Sequence, residues 1–407
     1  MIQRKEYLEQ LKRWKDEKVI KVVTGIRRCG KSTLLKQYRD WLMENGVSAS
    51  QIVFLNFEDL EYEELTDYKA LYKYLTERLS EVGTTYIFLD EIQKVDSYEK
   101  VVDSLYIKDG VDIYITGSNA YLLSGELATL LSGRYVEISM LPLSFAEYVE
   151  AKGGGDADRL FAEYMREGSF PYVATMNGTE EMVSMYMEGI YNTIIVKDIE
   201  ERQRRREPEP TKRKVTDIVL LKNIARFLAG SIGSPMSVKS IADYITSSGR
   251  KVSVNTIDAY VDALVEPYIF YPVERYDIVG KQLLKINQKM YIADLGLRRH
   301  LLPRANYDLG FSLENLIYLE LRRRGYQVNV GKLGAAEVDF VTRKNDVVEY
   351  IQVSASLTDS KTFEREITPL KTIRDNYRKY ILTLDRFTLG NYEGIEVLNA
   401  VDWLLGK

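Results

Sequence analysis

Residues 18–35, KVIKVVTGIRRCGKSTLL, hold the groups best suited to phosphate chemistry. A β-branched run from Val19 to Thr24 enters Gly25-x-x-x-x-Gly30-Lys31-Ser32-Thr33, and an apolar, helix-like segment follows. Glycines at both ends of such a loop let successive backbone N–H groups turn toward phosphate oxygens, and the helix that follows adds the positive end of its dipole. Lys31 can reach the β- and γ-phosphates, and the Ser32 hydroxyl can complete the oxygen shell of Mg²⁺. Strand before and helix after is the context this phosphate-loop pattern requires. Gly25, Cys29, Gly30, Lys31, Ser32 and Thr33 are therefore expected to bind ATP with Mg²⁺. Cys29 stands where a helix N-terminus lowers a thiol pKa, which would suit a redox switch, but a small loop-filling residue is the preferred reading. Arg27 and Arg28 are expected to face solvent or a partner.

A second set of groups lies downstream. The apolar run TYIFLDEIQ ends in Asp90-Glu91. An acid at a strand end suits the metal shell, and the adjacent Glu91 suits a general base that polarises the attacking water. VDIYITGSN ends in Ser118-Asn119, with Asn119 expected to orient that water or sense the γ-phosphate. Arg134, in LLSGRY, is either an arginine finger or a turn arginine, and spacing alone leaves both open.

Positioning these groups requires a sheet whose strands end on one edge. Residues 1–18 read as a helix with Tyr7, Leu8, Leu11 and Trp14 on one face. Ile52–Phe57, the Asp90 strand, the Ser118 strand and Arg134–Leu141 complete five strands alternating with helices, which predicts an α/β fold around a parallel five-stranded sheet. An extra strand between the phosphate loop and the acidic strand, with a glutamate after Asp90, resembles the additional-strand, catalytic-glutamate division of P-loop ATPases. Domains are expected at 1–145 (ATPase core), 146–214 (helical lid and charged linker), 215–285 (winged helix) and 286–407 (nuclease-like). The linker contains Arg202–Arg206 and Lys212–Lys214 around two prolines and reads as solvated, with a phosphate-backbone contact as the alternative.

Residues 215–275 pattern as three helices, and an alternating hairpin follows, which describes a winged helix-turn-helix. Its third helix carries Ile257, Tyr260, Val261 and Leu264 on one face and Asp258, Asp262 and Glu266 on the other. An acidic face repels phosphates, so a protein-facing role is preferred over base reading. Further on, Glu314 on a helix, Asp339 on a strand and Gln352-Val353-Ser354 on the next strand resemble the restriction-endonuclease-like PD-(D/E)xK fold. That fold places Glu at position 352 and Lys at 354, so cleavage is expected to be lost. Arg322–Arg324 end the helix as a surface terminus or a contact site.

At 407 residues with net charge −4, the chain has room for several cores and lacks a global basic field that would drive it onto nucleic acid. One cysteine excludes an internal disulfide and fits a reducing cytoplasm, and one histidine excludes a histidine-based metal site. No signal peptide and no membrane span are evident. DNA or a protein is the expected partner besides ATP, and a homo-oligomer is left open. GIRRCGKST, FLDEIQK, LSGRY, KDIEER, KMYIADLGLRRHLL, LENLIYLELRRRGY and EVDF together resemble a prokaryotic family that joins an AAA-type ATPase core to a winged helix and a C-terminal nuclease-like domain. The resemblance implies a Mg²⁺-dependent ATPase acting as a switch or motor. An ATP-gated DNA nuclease and a non-hydrolysing signalling scaffold are the alternatives.

Overall fold

The computed structural model describes residues 2–118, 133–176, 178–194, 215, 217–302 and 308–407, without the side chains of residues 285 and 286. The chain forms two compact units, Met1–Pro142 with Glu266–Tyr268, and Leu143–Val265 with Ile269–Lys407.

The first unit is built on five parallel strands: β1 (Ile20–Thr24), β2 (Ile52–Asn56), β3 (Thr85–Asp90), β4 (Val111–Gly117) and β5 (Tyr135–Ser139). Their spatial order is β2-β3-β4-β1-β5, so β4 is inserted between the loop-bearing β1 and the acid-bearing β3. One sheet face is aliphatic, with Ile20, Val22, Val53, Leu55, Ile87, Leu89, Ile113 and Ile115 packed into one core with residues of α3 (Tyr68–Thr76) and α4 (Tyr98–Tyr106). Burying such β-branched and leucine side chains contributes about 1.5–3 kcal/mol each. The other face, toward α2 (Lys31–Glu44), is aromatic and polar. Phe54, Phe88 and Tyr114 stack across neighbouring strands, and Tyr114 lies against Tyr38 of α2. Lys21 is fully buried there and is neutralised by Asp112 at 2.5 Å. The N-terminal helix α1 is Lys5–Arg13.

The second unit opens with α5 (Phe145–Ala151), α6 (Ala157–Glu167), α7 (Pro171–Thr175) and α8 (Glu180–Tyr191), the helices being numbered over the described residues. Next come α9 (Ile218–Gly230), α10 (Val238–Ser247) and α11 (Val254–Val265), which pack pairwise on one another. The short β6 (Pro235–Met236), β7 (Phe270–Asp277) and β8 (Gln282–Ile292) form antiparallel pairs. Ile257, Tyr260, Val261 and Leu264 face inward on α11, while Asp258 and Asp262 are exposed and Glu266 falls just beyond the helix end.

After α12 (Leu295–Leu301) and α13 (Leu309–Arg323), the chain adds β9 (Gln327–Leu333), β10 (Ala336–Lys344), β11 (Val347–Ser354), α14 (Ser360–Thr372), β12 (Arg378–Thr383), β13 (Gly390–Tyr392), β14 (Ile395–Asn399) and α15 (Ala400–Leu404). All nine strands from β6 to β14 belong to one sheet, ordered β13-β14-β12-β11-β10-β9-β7-β8-β6. The join is the parallel pairing of Arg275–Asp277 with Val330–Lys332. The expected boundary after residue 285 therefore falls inside β8, and the hairpin is continuous with the C-terminal strands. Helices α6 and α8 pack on α12 inside this unit, so the segment expected to form a separate lid is integrated with the residues that follow it. Residues 202–206 and 212–214 of the expected linker lie outside the described residues.

Candidate functional site

The β1-to-α2 loop is shaped by close approach. Gly25 has φ +142°, and a Cβ there would stand 2.1 Å from the Met140 carbonyl oxygen, so only glycine fits. Gly30 turns the chain into α2 with φ 108°, and no side chain caps the helix. The first N–H groups of α2 thus stay available to an anion, which is what a phosphate-binding helix terminus needs. Lys31 is 4% exposed, with Nζ donating to the Gly25 carbonyl at 3.0 Å. Cys29 is fully buried, and burial pushes its thiol up rather than down. It fills the loop interior. Arg27 pairs with Glu58, so it is tied to its own unit.

Asp90 ends β3 fully buried, with Oδ1 accepting from the Thr116 hydroxyl at 2.5 Å. Its Oδ2 is buried with no hydrogen-bond partner. Burial pushes the Asp90 carboxyl up, opposed by the Thr116 and Ser32 hydroxyls. An orphaned carboxylate oxygen beside a serine hydroxyl is an incomplete set of hard oxygen donors, and the chemistry fits Mg²⁺, which usually adds substrate phosphates and waters to one or two protein ligands.

Glu91 adopts a left-handed conformation, φ 55° and ψ 45°, at a cost of about 1–2 kcal/mol for a residue with a Cβ. The turn bends the chain off the strand. The Glu91 N–H donates to the Thr116 hydroxyl at 2.9 Å, and Oε2 accepts from Gln93 at 2.5 Å and Ser118 at 3.2 Å. Oε1 stands 3.8 Å from Lys31 Nζ. Burial alone would raise the Glu91 carboxyl, but Lys31, Gln93, Arg27 and Ser118 outweigh it and hold it below the usual range. Lys31, Ser32, Asp90, Glu91 and Ser118 therefore converge at one edge of the sheet. Asn119 lies outside the described residues.

Arg134 is elsewhere. Its carbonyl accepts from Ile20 N–H, and Tyr135 is paired with Ile20, the first residue of β1. At about 3.3 Å per residue, the five residues to Gly25 span roughly 16 Å. The Arg134 guanidinium pairs with Asp103 of α4. A residue that opens a strand of a parallel sheet lies at the edge opposite the loop, so the finger reading within this chain is corrected to a structural ion pair.

Two residues passed over in the sequence complete the site. Thr116 bridges the Asp90 carboxylate and the Glu91 backbone N–H, and its place near the end of β4, two residues before Ser118, was the available signal. Arg4, 2% exposed, donates to the Cys29 carbonyl at 2.7 Å and to the Leu141 carbonyl at 2.7 Å, bracing the loop from outside the motif.

The C-terminal acids also converge. Asn315 of α13 accepts from and donates to the Ile292 backbone at 2.8 and 2.9 Å, which fixes the helix beside β8. Glu314 is thereby set against Lys289, whose Nζ is 3.0 Å from Glu314, 2.8 Å from Glu337 and 3.6 Å from Asp339. Tyr291 donates to Glu314 at 2.6 Å. Asp339 sits where the β9–β10 register shifts, and its Oδ2 accepts from Val353 N–H at 2.8 Å. Gln352 accepts from Asp339 N–H at 3.2 Å and donates to Glu366 at 2.6 Å, while the Ser354 hydroxyl turns to the Ser356 carbonyl. Burial, then the neighbouring Glu314 charge, push the Asp339 carboxyl well above its usual value despite Lys289. Burial likewise raises Glu314. Among the described residues, no group of three or more His, Cys, Asp or Glu is arranged to hold a metal. Arg323 and Arg324 are engaged by Glu320, and Arg324 also lies over the Trp403 ring, so this terminus is packed internally.

A family model described as an AAA domain matches residues 17–149, and one described as a domain of unknown function matches residues 158–308. An uncharacterized protein of Haemophilus influenzae is 41% identical over 410 residues, covering 100% of this chain and 99% of the relative. An uncharacterized protein of Methanocaldococcus jannaschii is 30% identical, covering 94% and 85%. Among solved structures, the Walker-type ATPase of Pyrococcus abyssi is similar in fold, with TM-score 0.50, 15% identity, and 74% of this chain and 96% of that chain covered. No described helix is long and apolar enough to cross a membrane.

Proposed function

We propose, from the premise that this chain belongs to the family of its Haemophilus influenzae and Methanocaldococcus jannaschii relatives and carries an AAA domain, that it is a Mg²⁺-dependent ATP hydrolase of the reducing cytoplasm. The observation that carries the reading is Asp90 Oδ2, buried without a partner at the phosphate loop, beside Ser32 and a strained Glu91. In this reading Gly25 to Thr33 hold the triphosphate through backbone N–H groups, and Lys31 leaves the loop carbonyls for the β- and γ-phosphates. Ser32 and Asp90 would hold Mg²⁺, which supplies charge neutralisation on the phosphate oxygens. Glu91, kept ionised by Lys31 and its hydrogen bonds, accepts the proton of the attacking water, and Ser118 and Asn119 orient that water. ATP turnover of the wild-type protein with Mg²⁺ and with EDTA tests this: release of phosphate only with Mg²⁺, and none from Lys31→Ala, is the expected result.

The second unit is read as a winged helix, α9 to α11 with the β7–β8 hairpin, fused to a nuclease-like sheet that no longer cuts. Support comes from Lys289, whose ammonium fills the space among Glu314, Glu337 and Asp339. ATP would shift the helices and the winged helix and so present the C-terminal domain to a partner or DNA. Mg²⁺- or Mn²⁺-dependent cutting of branched or duplex DNA that disappears in Asp339→Ala would replace this reading with an ATP-gated nuclease.

A further inference from the structure

A groove of about 1520 Å³ opens in the second unit between the β7–β8 turn, the β10–β11 turn and the segment joining α14 to β12. Its cations are Lys281, Arg343, Lys344 and Arg374. Lys281 and Arg374 are exposed and have no ion-pair or hydrogen-bond partner among the described residues. Arg343 lies over the Tyr276 ring, its guanidinium carbon 4.4 Å from the centroid, and lines the groove. Lys344 donates to the Arg324 carbonyl at 2.5 Å, a contact that adds no negative charge.

The acids nearby do not cancel this field. Asp375 accepts from Tyr350 at 2.7 Å and lies 3.9 Å from Lys379. Asp277 is turned onto the N–H groups of Val279 and Gly280 at 3.1 and 2.9 Å. Asp346 and Asp375 are the carboxylates on the lining, against four cations, in a chain whose net charge is −4. Cations gathered this way repel one another in the free protein, and an anion relieves the repulsion.

Aromatic rings accompany the charge. Tyr377 is 47% exposed on the groove wall, with its ring centroid 6.4 Å from that of Tyr350. The groove is larger than the roughly 300–1,000 Å³ of a typical small-molecule pocket, and it is open, which suits a polymer. Cations that follow a backbone, interleaved with rings that accept bases, form the recognition chemistry of single strands; a duplex keeps its base faces stacked internally.

We propose that this groove binds single-stranded nucleic acid, with phosphates on Lys281, Arg343, Lys344 and Arg374 and a base stacked on Tyr377. The site is independent of the phosphate loop and is testable without ATP. Fluorescence anisotropy of the full chain with labelled dT20 and U20 strands, a 20-base-pair duplex and poly-glutamate as competitor tests it across a salt series. Wild-type protein is expected to bind a single strand at least tenfold tighter than the duplex, and to keep it against poly-glutamate. The Lys281→Gln/Arg374→Gln double variant should weaken binding and make the slope of log affinity against log salt shallower by about 1.4, since each lost phosphate contact removes about 0.7. Tyr377→Ala should weaken binding by about tenfold with the salt slope unchanged, as lost stacking requires. All three positions are on the surface, so ATP turnover and melting temperature should match wild type. No single-strand binding, equal binding of the duplex, displacement by poly-glutamate, or an unchanged slope in the double variant would overturn the proposal. Comparing dT20 with U20 identifies whether DNA or RNA is preferred.

Discussion

At the end of β3, Lys31 stands 3.8 Å from Glu91 and rests its ammonium on loop carbonyls; in the nine-stranded sheet, Lys289 drives its ammonium among three carboxylates at 2.8 to 3.6 Å. Both clusters combine a buried lysine with buried acids, yet they differ in what is left unsatisfied. Around Lys31, the Asp90 Oδ2 atom has no partner, whereas no Glu314 or Asp339 oxygen is among the buried atoms without one. The first cluster leaves an oxygen donor unpartnered. The second supplies its own cation and is closed. Buried acids thus indicate a working site when an oxygen is unspent, and an internal support when a neighbouring side chain has already spent it.

Four substitutions probe this contrast, from the largest expected effect downward. Glu91→Gln should lower ATP turnover by about 10²- to 10⁴-fold, the usual contribution of a general base, with nucleotide affinity kept. Lys289→Met strands buried carboxylates and should destabilise the second unit by about 3–5 kcal/mol, visible in a denaturation midpoint, while the first unit still binds ATP. Thr116→Val preserves shape but removes the partner of both Asp90 and Glu91, and at about 1–3 kcal/mol per orphaned group should cost about tenfold or more in turnover. Arg134→Ala should leave turnover within about twofold of wild type, because the partly exposed pair with Asp103 is worth at most about 1 kcal/mol. A large loss there would mean that a second copy of the chain brings Arg134 to the loop.

The acid cluster also sets a pH dependence. Asp339 has a folded pKa raised above its unfolded value, through burial first and Glu314 second, against Lys289, with Glu366 also facing it. The folded state therefore binds the extra proton. Its contribution to stability is fully present below the unfolded carboxylate pKa and is lost as pH rises through the raised folded value. Melting temperature should fall between pH 4 and neutrality more steeply in wild type than in Asp339→Asn. Equal slopes would show that the proton sits elsewhere in the cluster.

Much of the first unit was legible because local rules coincide there. A strand, a glycine-bounded turn and a helix leave the phosphate loop one arrangement, and an apolar run ending in Asp90-Glu91 places both acids at the same sheet edge. Arg134 misleads by proximity in sequence to the last strand, since a residue opening a parallel strand faces the opposite edge. The second unit is less legible because its decisive contacts are non-local. Nothing in KMYIADLG announces that Lys289 will face Glu314 and Asp339, because that depends on β7 pairing in parallel with β9. Lys289 meets acids 25 and 50 positions later in the chain, Glu314 and Asp339, a partnership that a linear motif cannot express.

The most direct test of the account is paired measurement of ATP affinity and Mg²⁺-dependent phosphate release in wild type and Glu91→Gln. The account requires equal affinity and a collapse of phosphate release in the variant. Wild-type rates of release from Glu91→Gln would contradict it.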